Sequence, residues 1–187
     1  ISYVKDLVAG GGTILFVGTK KQAQAAIAEH AGRAGMPYVN YRWLGGMLTN
    51  FQTIQKRIFY MKELRHLEES GEINGLPKKE RLKLRRELAK LEQNLGGVAD
   101  LEKVPEAVFV VDVNTELTAV TESARLDLKT IALVDTNCDP DAIDIVIAGN
   151  DDAIRAADLI TGAIAEAAAE GRELAGSKAA KADPAES

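Results

Sequence analysis

The sequence predicts an α/β fold with a parallel sheet, into which an antiparallel helical hairpin is inserted. Short apolar runs alternate with longer amphipathic runs, and two short runs, at residues 107–112 and 130–135, are apolar almost throughout. Runs of this kind are typical of parallel strands that helices cover on both faces. Residues 50–95 break the alternation, because their apolar side chains recur at spacings of three and four.

Five strands are predicted in order, at residues 13–17, 38–39, 107–112, 130–135 and 144–147. The Ala-rich segment 20–34 predicts a helix that ends at Gly35 and Pro37. A second helix is predicted over residues 116–128. A third runs from the aspartates at 151 and 152, which suit the positive end of a helix dipole, to about residue 169.

Two apolar stripes predict the helical hairpin. The first stripe consists of Ile54, Ile58, Met61, Leu64 and Leu67, and the second of Leu84, Leu88, Leu91 and Leu95. The segment 70–77 lies between them and is rich in helix breakers. The spacing resembles a coiled-coil seam, and two arms of about 20 residues reach about 30 Å.

The predicted organisation is therefore discontinuous. Residues 1–49 and 96–170 form the α/β domain, residues 50–95 form the hairpin insertion, and residues 171–187 form a low-complexity tail expected to be mobile. The first residue is Ile1 rather than Met, so we expect the sequence to begin within a domain.

Composition excludes some classes of protein and indicates others. No apolar run approaches the roughly 18 residues of a membrane-spanning helix. The single cysteine, Cys138, excludes an internal disulfide and indicates an intracellular setting. The net charge of -5 conceals an asymmetry: residues 1–51 carry +3, residues 52–95 carry +4, and residues 96–187 carry -12. A basic first half indicates contact with nucleic acid or phosphate on one side, although solvated helix faces are an alternative.

Candidate RNA contacts lie in two turns of the α/β domain. Lys20 and Lys21 fall in the first turn of a helix, where positive charge opposes the helix dipole unless an anion binds there. The turn lacks the glycine pattern of a phosphate loop, and two solvated lysines remain an alternative. Arg42, Trp43 and Asn50 belong to a second segment, in which an arginine and aromatic rings can contact phosphates and exposed bases. Trp43 is equally compatible with a role as a core anchor.

The hairpin carries a larger set of basic residues. The eleven cations are Lys56, Arg57, Lys62, Arg65, Lys78, Lys79, Arg81, Lys83, Arg85, Arg86 and Lys90. The predicted RNA contacts among them are Lys56, Arg57, Lys78, Lys79 and Arg81, because lysine and arginine anchor RNA through its phosphates without reading sequence. Interspersed glutamates favour ion pairs along the helices as an alternative for many of these charges.

Carboxylates after the predicted strands suggest a second class of function. The candidate oxygen ligands are Asp112, Asn114, Glu116, Asp135, Asp139 and Asp141. With Lys20, such groups could serve a magnesium-dependent phosphotransfer or receiver-type domain. The same residues are ordinary caps and turn formers, which we favour. His30 and His66 lack metal-ligand or triad spacing. Cys138 has no evident activating neighbour.

Four stretches of the sequence carry a family resemblance. The sequence Phe-Val-Gly-Thr-Lys-Lys-Gln-Ala at residues 16–23, followed by Tyr-Arg-Trp-Leu-Gly-Gly-Met-Leu-Thr-Asn-Phe at residues 41–51, resembles the bacterial ribosomal protein S2 family. Residues 111–116 and 134–140 resemble the same family. The likeness extends to about residue 169, but the family's N-terminal segment, with its Phe-Gly-His and Arg-Trp-Asn-Pro elements, is absent from this sequence.

The resemblance implies a flavodoxin-like, Rossmann-like α/β domain with an inserted coiled-coil hairpin. It implies a non-enzymatic ribosomal protein that binds small-subunit rRNA in a cytoplasmic ribonucleoprotein and supports translation. The large mRNA-binding protein of the small subunit is expected to dock nearby, beside other small-subunit proteins. We expect no catalytic residue, cofactor, metal, membrane or DNA partner.

Overall fold

Five parallel strands form one sheet in the computed structural model, which describes residues 1–136 and 138–182. The strands are β1 (Ile14–Val17), β2 (Tyr38–Val39), β3 (Ala107–Val111), β4 (Lys129–Val134) and β5 (Ile145–Ala148). Their order is β2-β1-β3-β4-β5, and every neighbouring pair is parallel. This is the flavodoxin-like order, so the predicted fold class is confirmed.

Within the described residues, six α-helices connect or flank the strands. They are α1 (Ser2–Ala9), α2 (Lys21–Ala34), α3 (Phe51–Glu69), α4 (Lys78–Leu95), α5 (Leu117–Arg125) and α6 (Ile154–Ala182). Short 3-10 turns occupy Glu72–Gly75, Gly96–Val98 and Pro140–Ala142. Among the described residues, no helix is both long enough and apolar enough to cross a membrane.

Alternation along the strands divides the core into two layers. Phe16 and Phe109 point to the face covered by α1, α2 and α6, where their rings meet edge to face at 5.4 Å. Val17 and Val110 point to the opposite face, which α3, α4 and α5 cover. Because successive strand residues point to opposite faces, fully buried strands supply both layers at once.

The hairpin helices α3 and α4 pack side by side in opposite directions. Arg65 pairs with Glu92 at 3.0 Å and Arg85 pairs with Glu68 at 2.8 Å, so positions later in α3 meet positions earlier in α4. Ile54 near the start of α3 belongs to the same buried cluster as the strand side chains. The two predicted helices are therefore present, whereas a coiled-coil seam between them stays a prediction.

Helix α6 extends beyond the predicted end near residue 169, and the residues just after that point contact other helices. Gly171 is so close to α1 that a Cβ there would lie 2.7 Å from the Lys5 carbonyl oxygen. Arg172 Nη1 donates to the Ala34 carbonyl at 2.7 Å. The mobility expected of residues 171–187 stays a prediction, and residues 183–187 lie outside the described residues.

A close approach between the end of the hairpin and β2 yields a stability prediction. A Cβ on Gly97 would lie 2.2 Å from the Tyr38 carbonyl oxygen, whereas a Cβ on Gly96 would meet nothing within 4 Å. We expect Gly97→Ala to lower the free energy of unfolding by about 1–3 kcal/mol or more, because the backbone must shift.

Urea denaturation of Gly97→Ala and Gly96→Ala measures this difference directly. The Gly96→Ala protein is the matched control and should unfold at or slightly above the wild-type urea concentration. Equal midpoints for the two variants would show that the approach of residue 97 to β2 is not tight.

Candidate nucleic-acid interface

The segment that joins β2 to α3 lies at the carboxyl end of the sheet, where open α/β sheets bind their ligands. We call residues 40–50 the anchored loop. Met47 and Leu48 are buried in the core, whereas Arg42, Thr49 and Asn50 are exposed. Two apolar side chains therefore anchor the loop in the core, and its polar groups face solvent.

A buried carboxylate on α5 fixes the shape of the anchored loop. The Glu122 side chain accepts hydrogen bonds from Trp43 Nε1 at 3.1 Å and from the Gly46 amide at 2.8 Å through Oε1. Its Oε2 accepts from the Leu48 amide at 3.0 Å and from the Thr49 amide and hydroxyl at 3.1 Å each. Five donors therefore converge on a residue that is only 4% exposed.

These hydrogen bonds determine the charge state of Glu122. Burial alone would raise the pKa of the carboxyl, but the donors from Thr49, Trp43, Gly46 and Leu48 outweigh burial and lower the pKa below its ordinary value. The ionised form is the one that can accept all five bonds. A charged carboxylate therefore holds the loop at neutral pH.

Gly46 is the loop position where the backbone requires glycine. Its φ is 85°, and a Cβ there would lie 3.1 Å from the Asn50 side chain. The Gly46 carbonyl also accepts from the Asn50 amide at 2.8 Å. Any residue with a side chain would be strained at this position. The turn that leaves Asn50 exposed therefore depends on glycine at position 46.

A depression of about 270 Å³ lies between the anchored loop and the start of α3. Arg42, Asn50 and Arg57 line it together with residues 43–46, 53 and 54. The first turn of α3 contains no acidic residue, so the positive end of its dipole is not neutralised locally. Two guanidinium groups beside a helix N-terminus favour an anion such as a phosphodiester.

The structure divides the hairpin cations by their ion pairs. Lys62, Arg65 and Arg85 pair with Asp100, Glu92 and Glu68. Within residues 50–95, all of which the structure describes, the other eight cations make no ion pair. They are Lys56, Arg57, Lys78, Lys79, Arg81, Lys83, Arg86 and Lys90. The predicted contacts Lys56, Arg57, Lys78 and Lys79 are exposed, and Arg81 is half-buried.

Lys20 is surrounded by carboxylates instead of facing solvent. Its Nζ lies 3.0 Å from Asp112 Oδ2 and 3.2 Å from Asp151 Oδ1, and it also pairs with Asp152. The hydrogen bond to Asp152 is the main reason that the pKa of Lys20 is raised, with Asp112 and Asp151 adding to it against burial. This structural role was not predicted, and the RNA contact predicted for Lys20 stays a prediction.

The remaining predicted contacts occupy two different environments. Lys21 is exposed at the first position of α2. Trp43 is half-buried against the core and hydrogen-bonded to Glu122, so it is an anchor of the loop. The sequence left that role open beside RNA binding, and an RNA contact by its exposed edge stays a prediction.

The carboxylates predicted as magnesium ligands do not form one site. Glu116 accepts from the Thr19 amide at 2.7 Å and from its hydroxyl, and its burial raises its pKa. Asp135 accepts from Thr136, and Asp139 caps the turn at Asp141. Among the described residues, ligand atoms of Asp112, Asp151 and Cys138 do lie within 4.8 Å of one another. Lys20 already balances the negative charges of Asp112 and Asp151 by forming an ion pair with each of them.

Glu122, the residue on which the loop geometry depends, is not among the residues predicted from the sequence. A signal was nevertheless present. The buried side chains of α5 are Ala119, Val120, Glu122 and Ser123, so the glutamate lies on the face that faces the core. An acidic residue on the apolar stripe of a helix indicates a buried hydrogen-bonding role. Its partners, 73 to 79 residues earlier, have no local sequence signature.

Comparison with known proteins gives a consistent result. The family model described as ribosomal protein S2 matches residues 1–171. A small ribosomal subunit protein uS2 from Mycolicibacterium gilvum is 58% identical over 182 residues, which cover 97% of this chain and 65% of the relative. The uS2 of Mycolicibacterium vanbaalenii is 57% identical over 187 residues, covering 98% and 68%. The uS2 of Rhodococcus erythropolis is 58% identical over 169 residues, covering 90% and 59%.

The fold and the site define a flavodoxin-like α/β protein in which a cationic helical hairpin follows a loop fixed by a buried carboxylate. With 171 residues matched by the family model, the chain belongs to the ribosomal protein S2 family, a family of structural proteins rather than enzymes. The resemblance found in the sequence is thereby confirmed. The chain spans 59–68% of the length of the three relatives described.

Replacement of Glu122 tests the anchoring of the loop. We expect Glu122→Gln to destabilise the protein by about 2–4 kcal/mol, because an amide nitrogen faces donors and each unpaired buried donor costs about 1–3 kcal/mol. Trp43 is the one tryptophan of the chain, so its fluorescence should report greater exposure. The exposed Glu166→Gln is the matched control, and equal stability of the two variants would contradict the anchoring role.

The lowered pKa of Glu122 predicts a pH dependence. A carboxyl whose pKa is lower in the folded state stabilises the fold above the ordinary value of about 4.5, and this stabilisation is lost as pH falls through the folded value. The difference in unfolding free energy between wild type and Glu122→Gln should therefore be largest near neutral pH and narrow as the pH falls below about 4.5.

Urea denaturation of both proteins across this range measures the difference. Burial raises the pKa values of Asp151 and Glu116, so these two carboxyls change the stability of the fold in the opposite direction as the pH falls. Both proteins contain Asp151 and Glu116. Taking the difference removes their effect. If the difference in unfolding free energy stayed constant down to about pH 3, Glu122 would not be the ionised carboxylate that stabilises the fold.

Proposed function

We propose that this chain is a structural constituent of the small ribosomal subunit that binds rRNA in the cytoplasmic ribosome and serves no catalytic role. Membership of the S2 family and high identity to uS2 relatives support this proposal. The phosphotransfer or receiver-type alternative gains no support from these relatives, and its carboxylates are dispersed among caps, turns and the Lys20 ion pairs.

The observation that carries the proposal is the juxtaposition of the anchored loop with unpaired cations. The loop leads directly into α3, so Arg42 and Arg57 line one depression. The hairpin beyond it carries +4 overall and eight cations without an ion pair among its described residues. Positive side chains free of internal partners can neutralise phosphates and release their counterions.

The proposed RNA contacts are exposed, except for Arg81, which is half-buried. They are Lys21, Arg42, Asn50, Lys56, Arg57, Lys78, Lys79 and Arg81. Arginines at the depression fit a phosphodiester with two hydrogen bonds each, whereas hairpin lysines act as point charges. Contacts of this kind fix position and orientation on folded RNA without reading base identity.

We further propose protein partners for the remaining surface. The acidic second half, with -12 over residues 96–187, is unsuited to RNA and available to neighbouring small-subunit proteins. The large mRNA-binding protein of the small subunit is the partner that the family resemblance implies. Docking of that protein would be compatible with rRNA binding by the opposite, basic part of the chain.

Neutralising the two arginines of the depression tests the proposal. We expect Arg42→Gln with Arg57→Gln to weaken binding to a small-subunit rRNA transcript. The slope of log K against log salt concentration should fall by about 1.4–1.8, since each phosphate contact contributes about 0.7–0.9. The control is Arg33→Gln with Arg125→Gln, which removes two exposed arginines from α2 and α5.

Incorporation into subunits provides the second measurement. A tagged chain should co-sediment with small subunits through a high-salt wash, the depression variant should be reduced in that fraction, and the control should match wild type. Wild-type protein that fails to sediment with subunits and shows no salt-dependent RNA binding would overturn the proposed function. Unchanged binding by the double variant would remove the depression from the interface.

A further inference from the structure

The unpaired cations of α4 lie on one side of the helix. Lys79, Lys83, Arg86 and Lys90 follow one another at spacings of four, three and four, which places them on a single face. All four are exposed. At 1.5 Å per residue the row extends over about 16 Å along the helix axis. We call these four residues the cationic stripe.

The opposite face of α4 packs against the rest of the protein. Leu88 and Leu95 are buried, and Leu84 and Leu91 pack against the same core cluster. At 100° per residue, Leu88 lies about 180° around the helix from Lys79. The packing of α4 therefore directs the cationic stripe to solvent, and a shift of the helix cannot bury it without exposing the leucines.

Carboxylates of α4 lie to the sides of the stripe. Glu80 and Glu87 flank Lys83 at spacings of three and four residues without forming an ion pair with it, and Glu92 lies on another side of the helix. The stripe faces a shallow depression of about 650 Å³, lined by Lys79, Lys83, Arg86, the partly exposed Leu82, Pro77 and one carboxylate, Glu80. The ion-paired cations of the hairpin, Lys62, Arg65 and Arg85, do not line this depression.

Like charges at these spacings destabilise a helix, and no ion pair among the described residues offsets the repulsion within the stripe. A polyanion aligned with the helix would offset it. We propose that the cationic stripe extends the RNA contacts of the hairpin along α4 and binds the phosphate backbone, an inference that rests on the proposed function. The paired cations Lys62, Arg65 and Arg85 stabilise the protein instead and make no RNA contact.

Two triple variants with the same change in charge separate these roles. The stripe variant is Lys83→Gln with Arg86→Gln and Lys90→Gln, and the control is Lys62→Gln with Arg65→Gln and Arg85→Gln. Each protein is titrated with a small-subunit rRNA transcript over a range of salt concentrations. The slope of log K against log salt concentration should fall by about 2–3 for the stripe variant and stay near wild type for the control.

Conservative replacement identifies the chemistry of the contact. Lys83→Arg with Arg86→Lys and Lys90→Arg keeps every charge, so binding should stay close to wild type. Circular dichroism and urea midpoints confirm that each variant is folded. If a triple variant is unfolded, the doubles Lys83→Gln with Lys90→Gln and Lys62→Gln with Arg65→Gln replace the triples, with an expected fall in slope of about 1.4–1.8 for the stripe pair alone.

The possible outcomes separate an error in the assignment of the cationic stripe from an error in the proposed function. Equal slopes for stripe and control variants, with the wild type binding RNA, would overturn the assignment of the face and leave the proposed function standing. A loss of binding by the charge-keeping variant would overturn a backbone contact through charge. Absence of salt-dependent binding by the wild type would overturn both.

Discussion

One buried carboxylate organises the part of this protein that faces outward. Glu122 collects five donors from a loop that contains no regular secondary structure, and its charge is stable in the core because those donors surround it. Repeating backbone bonds cannot hold such a loop, so a side chain from another element must satisfy its amides. The start of α3, and with it the direction of the hairpin, follows from this arrangement.

Ion pairing sorts the charges of the chain into two groups. Lys20 shares its charge with Asp112, Asp151 and Asp152 at the carboxyl end of the sheet, and its partners come from two connections, one after β3 and one after β5. The hairpin differs, because most of its cations lack a partner within residues 50–95. A count of basic residues overestimates the positive charge that can bind a polyanion. The ion pairs of each side chain determine how much positive charge stays unpaired.

Periodicity predicted the strands, the helices of the hairpin and the α/β class, because burial of a strand or a helix face imposes its spacing on the sequence. The site was predicted only as a set of residues. Glu122 and its donors are far apart in the chain, and the partners of Lys20 depend on how three connections converge. The end of α6 was also missed. Gly171 and Arg172 contact other helices, which local sequence does not reveal, and the alanine, glutamate and lysine residues that follow favour a helix.

The position of Glu122 in the chain also imposes an order on folding during synthesis. The hairpin is complete once residue 95 has been made, whereas the loop that precedes it waits for a carboxylate encoded 73 to 79 residues after its donors. Until α5 has been made, the loop therefore lacks the acceptor that satisfies its amides, although every residue of the loop is already present. The final shape of this surface is thus set late in synthesis, by a residue that is distant in the chain.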